Sequence, residues 1–203
     1  MGRRLAIWFD YASPYSYLAV SRIAALRDVI LPEATIEWQP FLLGPIFMKR
    51  ASGAGAFQDV SPAERQYRWR DLERLCALYS LPWQKPRRYP PRGLLAARVT
   101  LVALRQGWGE ACIRAIYRAG FADDRDMADP AVLGAVIADL GQKPDEILSA
   151  AQNESVKAQL RAQVDAAMAA GIFGAPSLVV DGEIFWGNDR LEQGLAWARQ
   201  VWM

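Results

Sequence analysis

The chain has 203 residues and 52% hydrophobic content, enough for one sizeable core or one core with an inserted subdomain, which excludes the disordered and fibrous classes. Its formal charge of +2 hides twenty arginines against four lysines, a preference that suits planar, bidentate contact with carboxylates and favours small acidic ligands over nucleic acid. With no histidine and only two cysteines, the sequence excludes Ser-His-Asp hydrolysis, Cys-His proteolysis and the usual zinc sites, and implies no disulfide framework.

Leu5-Ala6-Ile7-Trp8-Phe9 is apolar, aromatic and β-branched enough for a buried strand. Pro14 fits a first helical position and leaves Ser13 as the N-cap of a helix ending near Arg27 and Asp28. That hydroxyl can simply cap, or it can hold an anion at the positive end of the helix dipole. Thr35 to Pro40 alternates like a second strand, and Phe41 to Phe47 leads into a Gly/Ala/Ser loop at Ala51 to Ala56.

From Ser61 the pattern turns helical. Ser61-Pro62-Ala63-Glu64 combines a capping serine, a first-position proline and a capping-box glutamate, predicting a helix to about Tyr79 or Ser80. Arg65, Arg68, Arg70 and Arg74 read as its solvated face. A Pro/Arg-rich connector spans Leu81 to Arg92, and helices are predicted from Gly93 to Gln106 and from Trp108 to about Ala119. Asp129-Pro130 caps another, Pro144 opens a short one, and Glu154 to Ala170 carries an apolar stripe of Val156, Leu160, Val164 and Met168. Cys76 and Cys112 share helical spacing with apolar neighbours and read as buried thiols.

Strand character returns at Pro176 to Val180 and Glu183 to Trp186, joined by the hairpin signal Asp181-Gly182. Asn188 or Asp189 suits the N-cap of a last helix, from Arg190 to about Trp202, with Glu192 completing a capping box. Trp38, Trp83 and Trp186 suit either a core or an aromatic pocket. The order of elements is that of a small α/β layer interrupted by helices. No run approaches the roughly 20 apolar residues of a membrane span, and nothing before Asp10 resembles a signal peptide, so a soluble, cytoplasmic protein without membrane or nucleic-acid partners is expected.

Four segments carry a family resemblance: Phe9 to Leu18 (FDYASPYSYL), Pro40 to Phe47 (PFLLGPIF), Phe173 to Ser177 (FGAPS) and Phe185 to Leu191 (FWGNDRL). Together they resemble the 2-hydroxychromene-2-carboxylate isomerases, in the thioredoxin-fold group that includes DsbA and the kappa-class glutathione transferases. The resemblance implies an α/β thioredoxin-like domain with a large all-α insertion, divided as 1–58 with 172–203 around a helical 59–171. It implies a homodimer with glutathione as cofactor, held by Ser13, Ala175, Pro176, Trp186, Gly187, Asn188 and Asp189, and a small aromatic carboxylate as substrate beside Lys49 and Tyr89. Arg88 and Arg92 are further candidates for the substrate carboxylate, and no metal is expected. Ser13 and Ser16 stand where the oxidoreductases of the group have Cys-x-x-Cys, which excludes dithiol exchange at that site. Ser13 is then expected to stabilise the glutathione thiolate during isomerisation. A kappa-like transferase or peroxidase, or a non-catalytic binding module, would keep the same scaffold.

Overall fold

The computed structural model describes residues 3–49 and 60–199. Arg4–Phe9 forms β1, Pro14–Ile30 α1 and Thr35–Pro40 β2. β1 and β2 are parallel, with Ile7 opposite Trp38, and α1 is the crossover that parallel pairing requires. Ser177–Val180 and Glu183–Trp186 form β3 and β4. β3 lies antiparallel to both β1 and β4, giving the order β2-β1-β3-β4. Asp181 and Gly182 both take positive φ, +50° and +87°, as the twist of a tight two-residue hairpin demands.

Leu43–Met48 is α2, Pro62–Leu78 α3, Leu94–Arg105 α4, Gly109–Phe121 α5, Pro130–Asp139 α6, Pro144–Ala150 α7 and Glu154–Ala169 α8. A 3₁₀ turn at Asn188–Arg190 leads into α9, Leu191–Arg199. Local signals account for most of these starts. Ser61 Oγ accepts from Glu64 N at 3.1 Å and Asp129 Oδ1 from Ala131 N at 2.8 Å. Glu64 does not complete a reciprocal box; its carboxylate takes Arg68 at 2.6 Å. α1 outruns its expected end because Leu26, Ile30 and Leu31 still pack on the core. The expected Gly/Ala/Ser loop at 51–56 and the end of the last helix lie outside the described residues.

The sheet separates two apolar layers, as the strand period of two dictates. Leu5 and Ile7 of β1 pack with Ile23 of α1 and Leu195 of α9, while Trp8 faces Phe41, Ile46 of α2 and Val164 of α8. Phe9 and Tyr11 join a third cluster with α1, α4, α5 and α6. Trp38 and Trp83 pack against these cores. The end of β1, and the turn that follows it, therefore sits where sheet and helices meet.

Candidate functional site

That turn runs from Asp10 to Ser13 and is closed by Ser13 N donating to Asp10 O at 2.9 Å. Ser13 is extended (φ −97°, ψ 113°) and caps α1 as expected, its Oγ accepting from Ser16 N at 3.2 Å. The hydroxyl proton goes across the molecule, to the carbonyl of Ala175 at 2.9 Å. Ala175–Pro176 is a cis peptide, and Pro176 O accepts Gly187 N at 3.0 Å. One serine thus joins the start of α1 to the loop before β3, and that loop to the end of β4. To serve a ligand, the hydroxyl must turn away from Ala175 O, because it has one proton to donate.

The other end of the turn is a buried carboxylate. Asp10 is 3% exposed and accepts from Ala12 N at 2.8 Å and Leu43 N at 2.6 Å. Burial pushes its pKa up from the ordinary carboxylate value, and the two backbone donors offset part of that rise. Its backbone carbonyl also accepts from the Tyr117 hydroxyl at 2.8 Å. Gly93, where α4 begins, packs against it from another side: a Cβ there would lie 2.9 Å from Tyr11 Cβ and 3.4 Å from Asp10 Oδ1.

On the β4 side, Trp186 and Phe173 form an edge-to-face pair at 5.0 Å. They are 52% and 45% exposed on the rim beside Ala175. The Trp186 indole lies over Gly174, leaving no room for a Cβ there. Gly187 takes φ +115° and has the Asp189 carboxylate against it; Asp189 also pairs with Arg190 at 3.3 Å. The expected N-cap and capping box at Asn188, Asp189 and Glu192 do not form. Asn188 is buried and its Oδ1 accepts from Arg22 of α1 at 2.8 Å. Glu192 pairs with the same guanidinium, which stacks on the Tyr79 ring at 3.8 Å. A cation from α1 takes up the groups that capping would have used.

Of the substrate candidates, Tyr89 is half-buried and lies within electrostatic range of Asp10, Tyr15 and Arg68. Burial raises its phenol above the ordinary value, Asp10 adds to the rise, and Arg68 opposes it. Its ring meets Trp69 edge-on at 4.9 Å. Lys49 is exposed at the end of α2 and Arg88 is exposed in the connector. Arg92 lines a different cleft with Arg98, Asp126, Asp129 and Gln152. The reading of the α3 arginines as a solvated face holds for Arg65, Arg70 and Arg74, which are exposed, but Arg68 is half-buried and its charge acts on both Tyr15 and Tyr89. Beside it, Tyr15 donates to Asp71 at 3.0 Å. Three residues of spacing put Arg68 and Asp71 on one helical face, a pattern present in the sequence but hidden among its other arginines.

Both cysteines are out of reach. Cys76 and Cys112 are 1% and 0% exposed, and burial pushes each thiol up to about 12. A raised thiol pKa keeps both neutral well above physiological pH. The stability this contributes is present below the unfolded-state pKa and fades as pH rises toward the folded value. An aromatic disulfide reagent at pH 8 is expected to titrate no thiol in the native protein and two after denaturation. Fast titration of either native thiol would contradict the burial. Among the described residues no cluster of acidic or cysteine side chains suits a metal ion, and no helix is long and apolar enough to cross a membrane.

A family model described as the DSBA-like thioredoxin domain matches residues 4–196. The chain belongs to that family. This DSBA-like domain is 28% identical over 192 residues to a 2-hydroxychromene-2-carboxylate isomerase of Sphingobium xenophagum, covering 95% of the chain and 96% of the relative. It is 26% identical to glutathione S-transferase kappa 2 of Caenorhabditis elegans, covering 92% and 87%. A solved structure of a 2-hydroxychromene-2-carboxylate isomerase superposes with a TM-score of 0.84 at 22% identity, over 94% of the chain and 91% of that structure. The fold is therefore the DsbA-like thioredoxin fold, with Ser13 and Ser16 at the start of α1 and the cis-proline loop opposite.

Proposed function

We propose that the protein is a glutathione-dependent isomerase that interconverts a 2-hydroxychromene-2-carboxylate and the corresponding trans-o-hydroxybenzylidenepyruvate. One observation carries the reading. A serine hydroxyl caps α1 and faces the cis Ala175–Pro176 loop at 2.9 Å, in a chain whose own thiols are buried and neutral. Such a site has a donor for a sulfur anion but no sulfur of its own, and this fits a borrowed thiol.

The residues present suit glutathione. Ser13 Oγ–H, once turned from Ala175 O, would donate to the sulfur and favour its charged form. The Ala175–Pro176 backbone would hold the peptide part, and the segment from Trp186 to Asp189 the γ-glutamyl end. Buried Asn188, fastened to Arg22, serves by shaping that segment, whereas the exposed Trp186 and Asp189 supply its contacts. Bound glutathione would supply a thiolate nucleophile, whose reversible addition to the conjugated carbon would make the double bond rotatable while the hemiketal ring C–O bond opens to a ketone and a phenol, the hemiketal proton passing to the phenol oxygen. Tyr89 and Arg68 orient the aromatic acid, the guanidinium sharing itself between Glu64, which it already pairs at 2.6 Å, and the substrate carboxylate; Lys49 and Arg88 serve as outer cations and Arg92 is set apart in its own cleft. We place this chemistry in a homodimer of the cytoplasm, where thiols stay reduced.

The kappa-class relative supports a second reading, transfer of glutathione to an electrophile. The two differ in stoichiometry. With a panel of chromene carboxylates, isomerisation is expected to run to equilibrium with catalytic glutathione and no net loss of it. Accumulating conjugate with matching glutathione consumption would establish the transferase instead, and calorimetry showing no glutathione binding would remove both.

A further inference from the structure

Asp10 belongs to none of the ligand contacts above, yet it is the most heavily engaged polar group near Ser13. One carboxylate oxygen holds Ala12 N, inside the turn that ends at Ser13. The other holds Leu43 N, the first residue of α2. α2 has only six residues, and its own N-cap, Leu42, has no side chain that can bond the helix start. A helix that short is marginal without an outside donor or acceptor, and the carboxylate that supplies one comes from the turn presenting Ser13. The enclosing walls leave it little freedom: Tyr11 and Gly93 lie against it, and Tyr117 holds the carbonyl of the same residue.

We propose that Asp10 is a positioning residue whose carboxylate ties the Ser13 turn to α2, so that the Ser13 hydroxyl and the α2 wall are held as one unit. The tie exists whether or not a ligand is bound; its effect on glutathione rests on the function proposed above. A neutral isostere breaks it at one end. In Asp10→Asn the amide presents one acceptor and one donor group to two N–H groups, so either Ala12 or Leu43 loses its partner. Charge and position then act in opposite directions on a bound thiol. Removing a nearby negative charge alone favours the thiolate, whereas a Ser13 that drifts from its place disfavours it.

The first test needs no ligand. In amide hydrogen exchange of the free protein, Asp10→Asn is expected to speed exchange at Ala12 or Leu43, and at Ser16, at least tenfold, with α6 unchanged; wild-type protection at all three would overturn the tie. A pair of α2 variants covers the case in which Asp10→Asn fails to fold. Leu43→Pro removes the N–H that Asp10 holds together with the leucine side chain, at a first helical position that tolerates proline after the extended Leu42 (φ −120°, ψ 124°). Leu43→Ala trims the side chain but keeps the N–H. Ala12 and Ser16 are expected to exchange faster in the proline variant than in the alanine one, and equal rates would refute the coupling.

The second test reads the ultraviolet absorbance of bound glutathione thiolate against pH. The thiol midpoint is expected to move up by about one unit, a tenfold loss of thiolate preference, in Asp10→Asn. A downward or absent shift would reject the positioning role. A wild type that binds no glutathione would instead sink the proposed function, with the exchange experiment still deciding the tie.

Discussion

Replacing Ser13 by alanine is expected to lower kcat for the glutathione-dependent reaction by about 10²–10³-fold, the usual effect of losing one preorganised donor to a developing anion. The same substitution removes the N-cap acceptor of Ser16 N, at about 1 kcal/mol of stability, so a loss of rate alone does not separate chemistry from folding. Glycine separates them. Ser13→Gly has no hydroxyl, but as an N-cap glycine costs only a few tenths of a kcal/mol relative to serine. If Ser13 stabilises a thiolate, alanine and glycine fail alike while their melting temperatures differ. Threonine, which keeps both acceptor and donor, is expected to retain most of the rate if its methyl is accommodated beside Ala175. Ser13 is only 7% exposed, so that methyl meets a tight site, and the Ala/Gly pair is the decisive comparison. Full activity in the glycine variant would reduce Ser13 to a cap.

What could be read in the sequence was whatever a few neighbouring residues determine together. Ser13 before Pro14, Asp129 before Pro130 and the Asp181-Gly182 turn each act within a span of four residues, and each appears in the structure where it was expected. α2 was not legible because its cap is supplied by Asp10, 33 residues earlier in the chain. Asn188 looked like a cap for the same local reason that Ser13 did. A guanidinium 166 residues away took its side chain instead. The placement of Arg68 and Tyr89 near Tyr15 depends on α3 and the connector folding back toward the start of α1, and the pairing of residues from two elements leaves no local mark beyond composition. The serine and the proline loop that meet in the candidate site are thus legible in the sequence, and the groups that hold those two in place are not.

Those supporting groups rest in turn on an aromatic column, and Phe121 is its centre. The ring is fully buried and stacks on Trp83 of the connector at 6.0 Å, with 3° between planes. It also meets Tyr17 of α1 at 5.8 Å and Tyr117 of α5 at 6.1 Å. Tyr17 anchors the connector a second way, donating to Pro82 O at 2.7 Å. Removing the Phe121 ring leaves a cavity that three large, rigid neighbours cannot fill without shifting, so Phe121→Ala is expected to cost about 3–5 kcal/mol. Against a total stability of about 5–15 kcal/mol, that is a large share. For a chain of this size it corresponds to a fall in Tm of about 6–20 °C, measurable by circular dichroism. Phe173 provides the contrast, because it is an exposed aromatic whose partner Trp186 is itself exposed; alanine there is expected to stay within about 0.5 kcal/mol. Equal costs at the two positions would show that the column does not hold α1 against the helical layer. With the column intact, Tyr17 fixes α1 one turn beyond Ser13, and the hydroxyl that reaches Ala175 inherits its position from rings packed between α1, α5 and the connector.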